Sequence, residues 1–177
     1  MMFGQFGFQS SGVRAQAQRG YRDGNGFFAV EASGFARAGL PQAWAVMSDY
    51  DRLADFVPDL VSSRVLSRSG TAAVVEQVSR VGVMLMSYVV RMQIRIEEHP
   101  MSALDVSLLS GDMRHYAVRW ELEPSRRDGV EGTLLRLCGE LEPQFFIPPM
   151  VGQPLVQGNV RQLMEAVVAA IERRATH

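Results

Sequence analysis

From Val61 to Pro143 the chain alternates apolar and polar residues in short runs, and each run ends at a turn signal. VSSRVLSR leads through Ser69-Gly70 into TAAVVEQVS. Gly82 precedes VMLMSYVVRMQIRIEE, the longest alternating run, which His99-Pro100 ends. SALDVSLL follows, then Ser110-Gly111-Asp112, MRHYAVRWELEP, the polar loop SRRDGVEG and TLLRLCGELEP. Period-two runs with close turns predict six strands in an antiparallel meander. A seventh strand is predicted earlier, over FFAVEASGFA (Phe27–Ala36). Between them Gly39-Leu40-Pro41 breaks the chain and starts a helix, since proline suits a first turn. A second short helix is expected over Arg52–Val57, stopped before Pro58. After Pro148-Pro149 the period changes. From Leu155, apolar residues at Val156, Val160, Leu163, Met164, Val167, Val168 and Ile171 form one helical stripe.

The expected order is strand, two short helices, six strands, one long helix. A seven-stranded antiparallel sheet of this length tends to curl. The last helix is the one element with enough apolar face to fill the curl. The predicted class is therefore α+β, a helix-grip fold with a seven-stranded curved antiparallel sheet, two short helices and a long C-terminal helix. A single domain over residues 26–177 follows a mobile tail over residues 1–25.

Alternation also assigns faces. On the long strand Met84, Met86, Tyr88, Val90, Met92, Ile94 and Ile96 should point inward. Leu104, Val106 and Leu108 continue that face, then Tyr116, Val118, Trp120 and Leu122, then Leu135, Leu137 and Leu141. Met47, Met150 and Met164 join from the helices. Such a stripe reads first as a filled core. Methionine, however, adapts to irregular apolar partners, and a curved sheet closed by one helix often leaves a cavity. On the second reading the ligand-binding residues are Met84, Met86, Tyr88, Val90, Met92, Val106, Tyr116, Val118, Trp120, Leu135, Phe146, Met150, Leu155 and Met164. Tyr88, Tyr116 and Trp120, with Gln77 also facing in, would orient the ligand. Val151, Leu155 and Phe145-Phe146-Ile147 would form a movable mouth. The alternation places Arg91, Arg95 and Arg119 outward, along with His115 and Cys138.

Composition narrows the chemistry. Formal net charge is -1 over 177 residues, which gives no reason to expect nucleic-acid binding. All 18 basic residues are arginine, so a lysine nucleophile is excluded. One cysteine rules out an intramolecular disulfide, and the three histidines have no ligand spacing. No metal and no cofactor is expected. No apolar run reaches transmembrane length, so no integral membrane segment is expected. Ala15-Gln16-Ala17 has the small-x-small look of a cleavage site, but no continuous apolar core precedes it. The expected compartment is the cytoplasm, with export or a periplasmic location as the alternative if the start is misassigned.

SDYDRLADFVPDL, from Ser48 to Leu60, holds four aspartates. Aligned on a calcium loop from Asp49, it lacks the turn glycine and the closing glutamate. Asp49 and Asp51 are better read as caps of the second helix, Asp55 as its polar face and Asp59 as a turn residue.

The same stretch resembles the polyketide cyclase/dehydrase-like branch of the SRPBCC (START-like) superfamily, which includes coenzyme Q-binding START-like proteins. Trp44, Asp49-Tyr50, Phe56-Val57-Pro58 and Ser62-Ser63-Arg64 carry the resemblance. SGDMRHYAVRWELEP and LEPQFFIPPMVG extend it, over about Phe27 to Arg174. It implies a helix-grip fold with a hydrophobic cavity. It implies no catalytic set that carries over residue by residue. The expected function is binding or carriage of a hydrophobic small molecule, such as a lipid, isoprenoid quinone or aromatic, polyketide-like compound. A transient membrane contact fits that function. Two alternatives stay open: a cyclase or dehydratase using the same cavity, and a protein-interaction module without ligand.

Overall fold

The computed structural model describes residues 12–177. Eight antiparallel strands form one open sheet in the order β1-β2-β8-β7-β6-β5-β4-β3. They are β1 (Arg14–Arg22), β2 (Asn25–Ala36), β3 (Leu60–Ser69), β4 (Ala72–Val83), β5 (Met86–His99), β6 (Ala103–Gly111), β7 (Met113–Arg127) and β8 (Val130–Pro143). Helix α1 (Leu40–Met47) and a short 3-10 helix (Tyr50–Asp55) follow β2, and α2 (Pro149–Ala175) closes the chain. This is the expected helix-grip arrangement with one strand more.

The extra strand is β1, which corrects the mobile-tail reading for the part of residues 1–25 that is described; residues 1–11 lie outside the described residues. Its physical basis is a two-residue hairpin. Asp23 and Gly24 both have positive φ, and Arg22 pairs with Asn25. Asp-Gly is a favoured pair for this tight turn. Ala15 and Ala17, the small residues of the cleavage-like motif, point into the core. The same dipeptide, Asp128-Gly129, joins β7 to β8, so these strands run into the stretch expected to be loop.

The β4–β5 hairpin departs from this rule. Its turn is not Gly82 but Met84-Leu85, because Val83 pairs with Met86. Met84 has φ 56°, a left-handed conformation that favours glycine. Met84 is 74% exposed and Leu85 is fully exposed. Met84→Gly should therefore stabilise the fold by about 0.5–1 kcal/mol, read as a higher unfolding midpoint. An unchanged or lower midpoint would show that the turn carries no strain.

Helix α2 starts at Pro149, earlier than the expected Leu155, because Pro149 can occupy the first turn. It packs on β1, β2 and α1. Three side chains tie it to the edge strand. Gln157 accepts the Ala17 amide at 3.2 Å. Arg161 donates to the Val13 carbonyl at 3.2 Å. Arg19 donates to the Ile147 carbonyl at 3.0 Å and lies over the Phe28 ring. Helix and sheet approach closely at Gly34 of β2. A Cβ there would stand 2.9 Å from Val168 Cγ2 and 3.0 Å from Met164 Cγ. Met164 is fully buried in that contact.

The aspartates of residues 48–60 are structural, by a route other than the expected caps. Neither Asp49 nor Asp51 caps the 3-10 helix through its side chain. Asp49 accepts from Arg174 at 3.0 Å and so ties this corner to the end of α2. Asp51 accepts the Val65 amide at 2.8 Å, beside an irregularity in the β3–β4 register.

Candidate ligand-binding cavity

Helix α2 rests on the β1–β2 side of the sheet. On the other side the sheet curls away and leaves a cavity of about 310 Å³. Its floor comes from alternate residues of four strands: Val90, Met92, Ile94 and Ile96 of β5, Leu104 and Val106 of β6, and Tyr116, Val118 and Trp120 of β7, with Leu141 of β8 beside them. Its roof is one face of α2, where Leu155, Asn159 and Leu163 recur at helical spacing. Met47 of α1 and Tyr50 close one side, and residues 57–60 with Gln77, Ser79 and Val81 of β4 form another.

Seven of the fourteen expected ligand residues line this space: Val90, Met92, Val106, Tyr116, Val118, Trp120 and Leu155. The others lie elsewhere. Met84 and Met86 are exposed on the β4–β5 hairpin, so the inward face of that strand begins only at Tyr88. Tyr88 stacks on Phe145 with ring centroids 4.5 Å apart, one shell behind the cavity wall. Leu135 and Met164 are fully buried where α2 meets the sheet directly. Phe146 and Met150 face outward, at 74% and 91% exposure, while their neighbours Phe145 and Ile147 line the cavity. Tyr50, Met113, Ser79 and Asn159 line it without having been expected to.

Among the described residues the lining contains no arginine and no histidine. Arg91 and Arg95 are exposed on the outer face, as the alternation requires. Arg119 is held outside by Asp105 at 2.7 Å. The one acid, Asp59, is exposed in a turn at the rim. Inside, polarity comes from neutral groups. Gln77 donates to Ser63 at 3.3 Å. Tyr50 donates to Glu98 at 2.7 Å, and Arg68 backs that glutamate at 3.1 Å. Burial and then the hydrogen bond to Glu98 push the Tyr50 phenol up, so it stays protonated.

Tyr116 and Trp120 differ from these. Among the described residues neither the Tyr116 hydroxyl nor the Trp120 indole N–H has a hydrogen-bond partner, and neither atom is wholly enclosed. Tyr116 is surrounded by protein yet keeps accessible surface, which faces the cavity. Burial raises its pKa above the ordinary phenol value. A protonated phenol and an indole are hydrogen-bond donors. Two residues of the apolar floor thus carry unused donors, and the lining residues Ser79, Asn159 and Gln162 also have no side-chain hydrogen-bond partner among the described residues.

The comparisons agree with this architecture. TTHA0849 from Thermus thermophilus superposes with a TM-score of 0.66 at 19% identity, over 83% of this chain and 99% of its own. The Zhui aromatase/cyclase of a Streptomyces species gives 0.65 at 18% identity, over 84% and 95%. A STAR-related lipid transfer protein of Xanthomonas axonopodis gives 0.67 at 12% identity, over 92% and 94%. At these identities the likeness shows the fold alone. No curated protein matches in sequence. Residues 37–168 match the family described as polyketide cyclase / dehydrase and lipid transport. That span holds both short helices, strands β3–β8 and most of α2, and with it nearly all the cavity wall: the chain belongs to the polyketide cyclase/dehydrase and lipid transport family.

Proposed function

We propose that the protein binds and carries a neutral, largely apolar small molecule that bears an acceptor oxygen, such as a lipid, an isoprenoid quinone or an aromatic, polyketide-like compound. The observation that carries this reading is the cavity itself: largely apolar walls with unpartnered neutral polar groups, among them the donors of Tyr116 and Trp120. Apolar burial drives affinity, at roughly 25 cal/mol per Å² before the costs of association. The donors select a carbonyl or ether oxygen, because a ligand lacking one leaves them without a partner. A lining without arginine or histidine disfavours an anionic ligand. It also supplies no pair of titratable groups for acid–base turnover, and the two lining tyrosines are held protonated. The relatives named for lipid transfer and for aromatase/cyclase activity both fit a hydrophobic guest of this kind.

The test is organic extraction of the purified protein followed by mass spectrometry, then titration with candidates. The expected result is a neutral hydrophobic compound recovered unchanged. Tyr116→Phe should weaken carbonyl-bearing ligands by about fivefold and leave plain hydrocarbons unaffected. Recovery of no ligand, together with no binding of apolar probes, would count against carriage. Conversion of a bound compound would favour the cyclase reading.

A further inference from the structure

The geometry points to a membrane-docking surface at one end of the cavity: the tip of the β4–β5 hairpin, with Phe146 and Met150, inserts into an anionic phospholipid bilayer. This rests on the carriage reading above, and it names the surface from which the cargo is taken.

Three observations carry it. The first is the turn itself. Where this chain closes two other hairpins it uses Asp23-Gly24 and Asp128-Gly129. Here, at equal loop length, it uses Met84-Leu85, with Met84 in a left-handed conformation and both side chains in solvent. Turn chemistry favours polar and glycine residues at such a position, so these apolar residues serve something beyond the turn. The second is clustering. The Tyr88–Phe145 stack holds the 144–150 segment against the hairpin. Exposed Met86 and Leu85 thus share one end of the molecule with exposed Phe146 and Met150. Phe145, Ile147 and Val81, in the same two segments, line the cavity. The patch is therefore continuous with the cavity wall.

The third is charge. No acid occurs from Gln77 through Ile96 or from Pro143 through Met164. Arg80 and Arg91 are exposed on the hairpin and have no ion-pair partner among the described residues. Two acids lie beside their backbone, in turns: Asp59, whose carbonyl accepts the Arg80 amide, and Asp112, whose carboxylate accepts the Arg91 amide; neither pairs with a guanidinium among the described residues. Arg80 lies four residues before Met84 and Arg91 five after Met86, which at about 3.3 Å per residue sets them roughly 13–16 Å from the tip. Interfacial segments bury their apolar side about 5–10 Å into the headgroup and acyl boundary. With the tip at that depth, the two guanidinium groups stand at the headgroup phosphates. Convex, flexible methionine and leucine tips suit a bilayer better than a flat protein partner.

Flotation with vesicles of phosphatidylcholine, with and without phosphatidylglycerol, tests the surface. Wild type should float with the mixed vesicles and less with phosphatidylcholine alone. Leu85→Glu should lower the partition coefficient at least about tenfold. Val130→Glu, at the opposite end of the sheet, should leave it unchanged. The inference is overturned if wild type floats with neither vesicle, if Leu85→Glu binds as well as wild type, or if Val130→Glu loses as much. It is also overturned if sedimentation shows a dimer that Leu85→Glu splits, since a second copy then covers the patch. Probe binding to the cavity is measured on the same proteins without vesicles. Intact probe binding with failed flotation removes the docking surface alone, whereas failed probe binding in wild type removes the carriage reading.

Discussion

Replacing Gly34 by valine is expected to destabilise the protein by about 3 kcal/mol, because it pushes α2 off the sheet. Gly34 lies in β2 opposite Leu135, and both face the helix. A Cβ at this position would meet Val168 Cγ2 at 2.9 Å, Met164 Cγ at 3.0 Å and Met164 Sδ at 3.1 Å. Met164 can yield by changing rotamer, but Val168 is β-branched and fixed on the helix. An alanine should therefore cost only about 1 kcal/mol, and the two further methyl groups of valine should raise that sharply. For a chain of this size the valine variant should lose roughly 10 °C in unfolding midpoint. Thermal unfolding followed by circular dichroism reads both variants. If Gly34→Val melts with wild type, the helix is not seated on this strand and the close approach has no energetic weight.

The grip of helix on sheet was legible in the sequence, and the hollow beneath it only partly. Period two fixes faces wherever a strand is truly a strand. That is why Tyr88 through Ile96 face as expected, and why Arg91, Arg95 and Arg119 lie outside. Period two cannot place a turn made of apolar residues. Met84 and Met86 continue the alternation in sequence although the chain reverses at Met84-Leu85. The first strand was missed for the opposite reason. RAQAQRGYR buries only small residues, so its pattern carries little hydrophobic signal, and the Asp-Gly turn that pairs it stands in a stretch as polar as a tail. Leu135 and Met164 show a third limit. Their residue types match those of the cavity wall, but α2 touches the sheet at their level and stands clear of it at Val106 and Val118. Where a helix leans is set by side chains distant in sequence, such as Arg19, Gln157 and Arg161, which pull α2 toward β1. No local period reports such contacts.

Val118→Trp should abolish binding of apolar ligands, with an affinity loss of at least about a hundredfold, or roughly 2.7 kcal/mol. Val118 lies mid-strand in β7, paired with Val106 on one side and Gly139 on the other, and its side chain lines the cavity floor. An indole built there takes a large share of a space of about 310 Å³, so ligand and side chain exclude each other. In a close-packed core the same change would overpack the interior and cost about 1–3 kcal/mol of stability. In an existing hollow the ring meets open space and gains contacts, so the unfolding midpoint should hold or rise. Two readouts therefore separate two descriptions of the same apolar stripe. A midpoint preserved with binding lost identifies a ligand cavity. A midpoint that falls by several degrees identifies a filled core. A preserved midpoint with probe affinity within twofold of wild type would sink the cavity as the binding site, since the apolar probe would then be held elsewhere. Met164→Ala is the matching control. It should cost about 2–5 kcal/mol of stability, because it empties a true packing contact, and it should leave the space above Val118 and its ligand affinity largely unchanged.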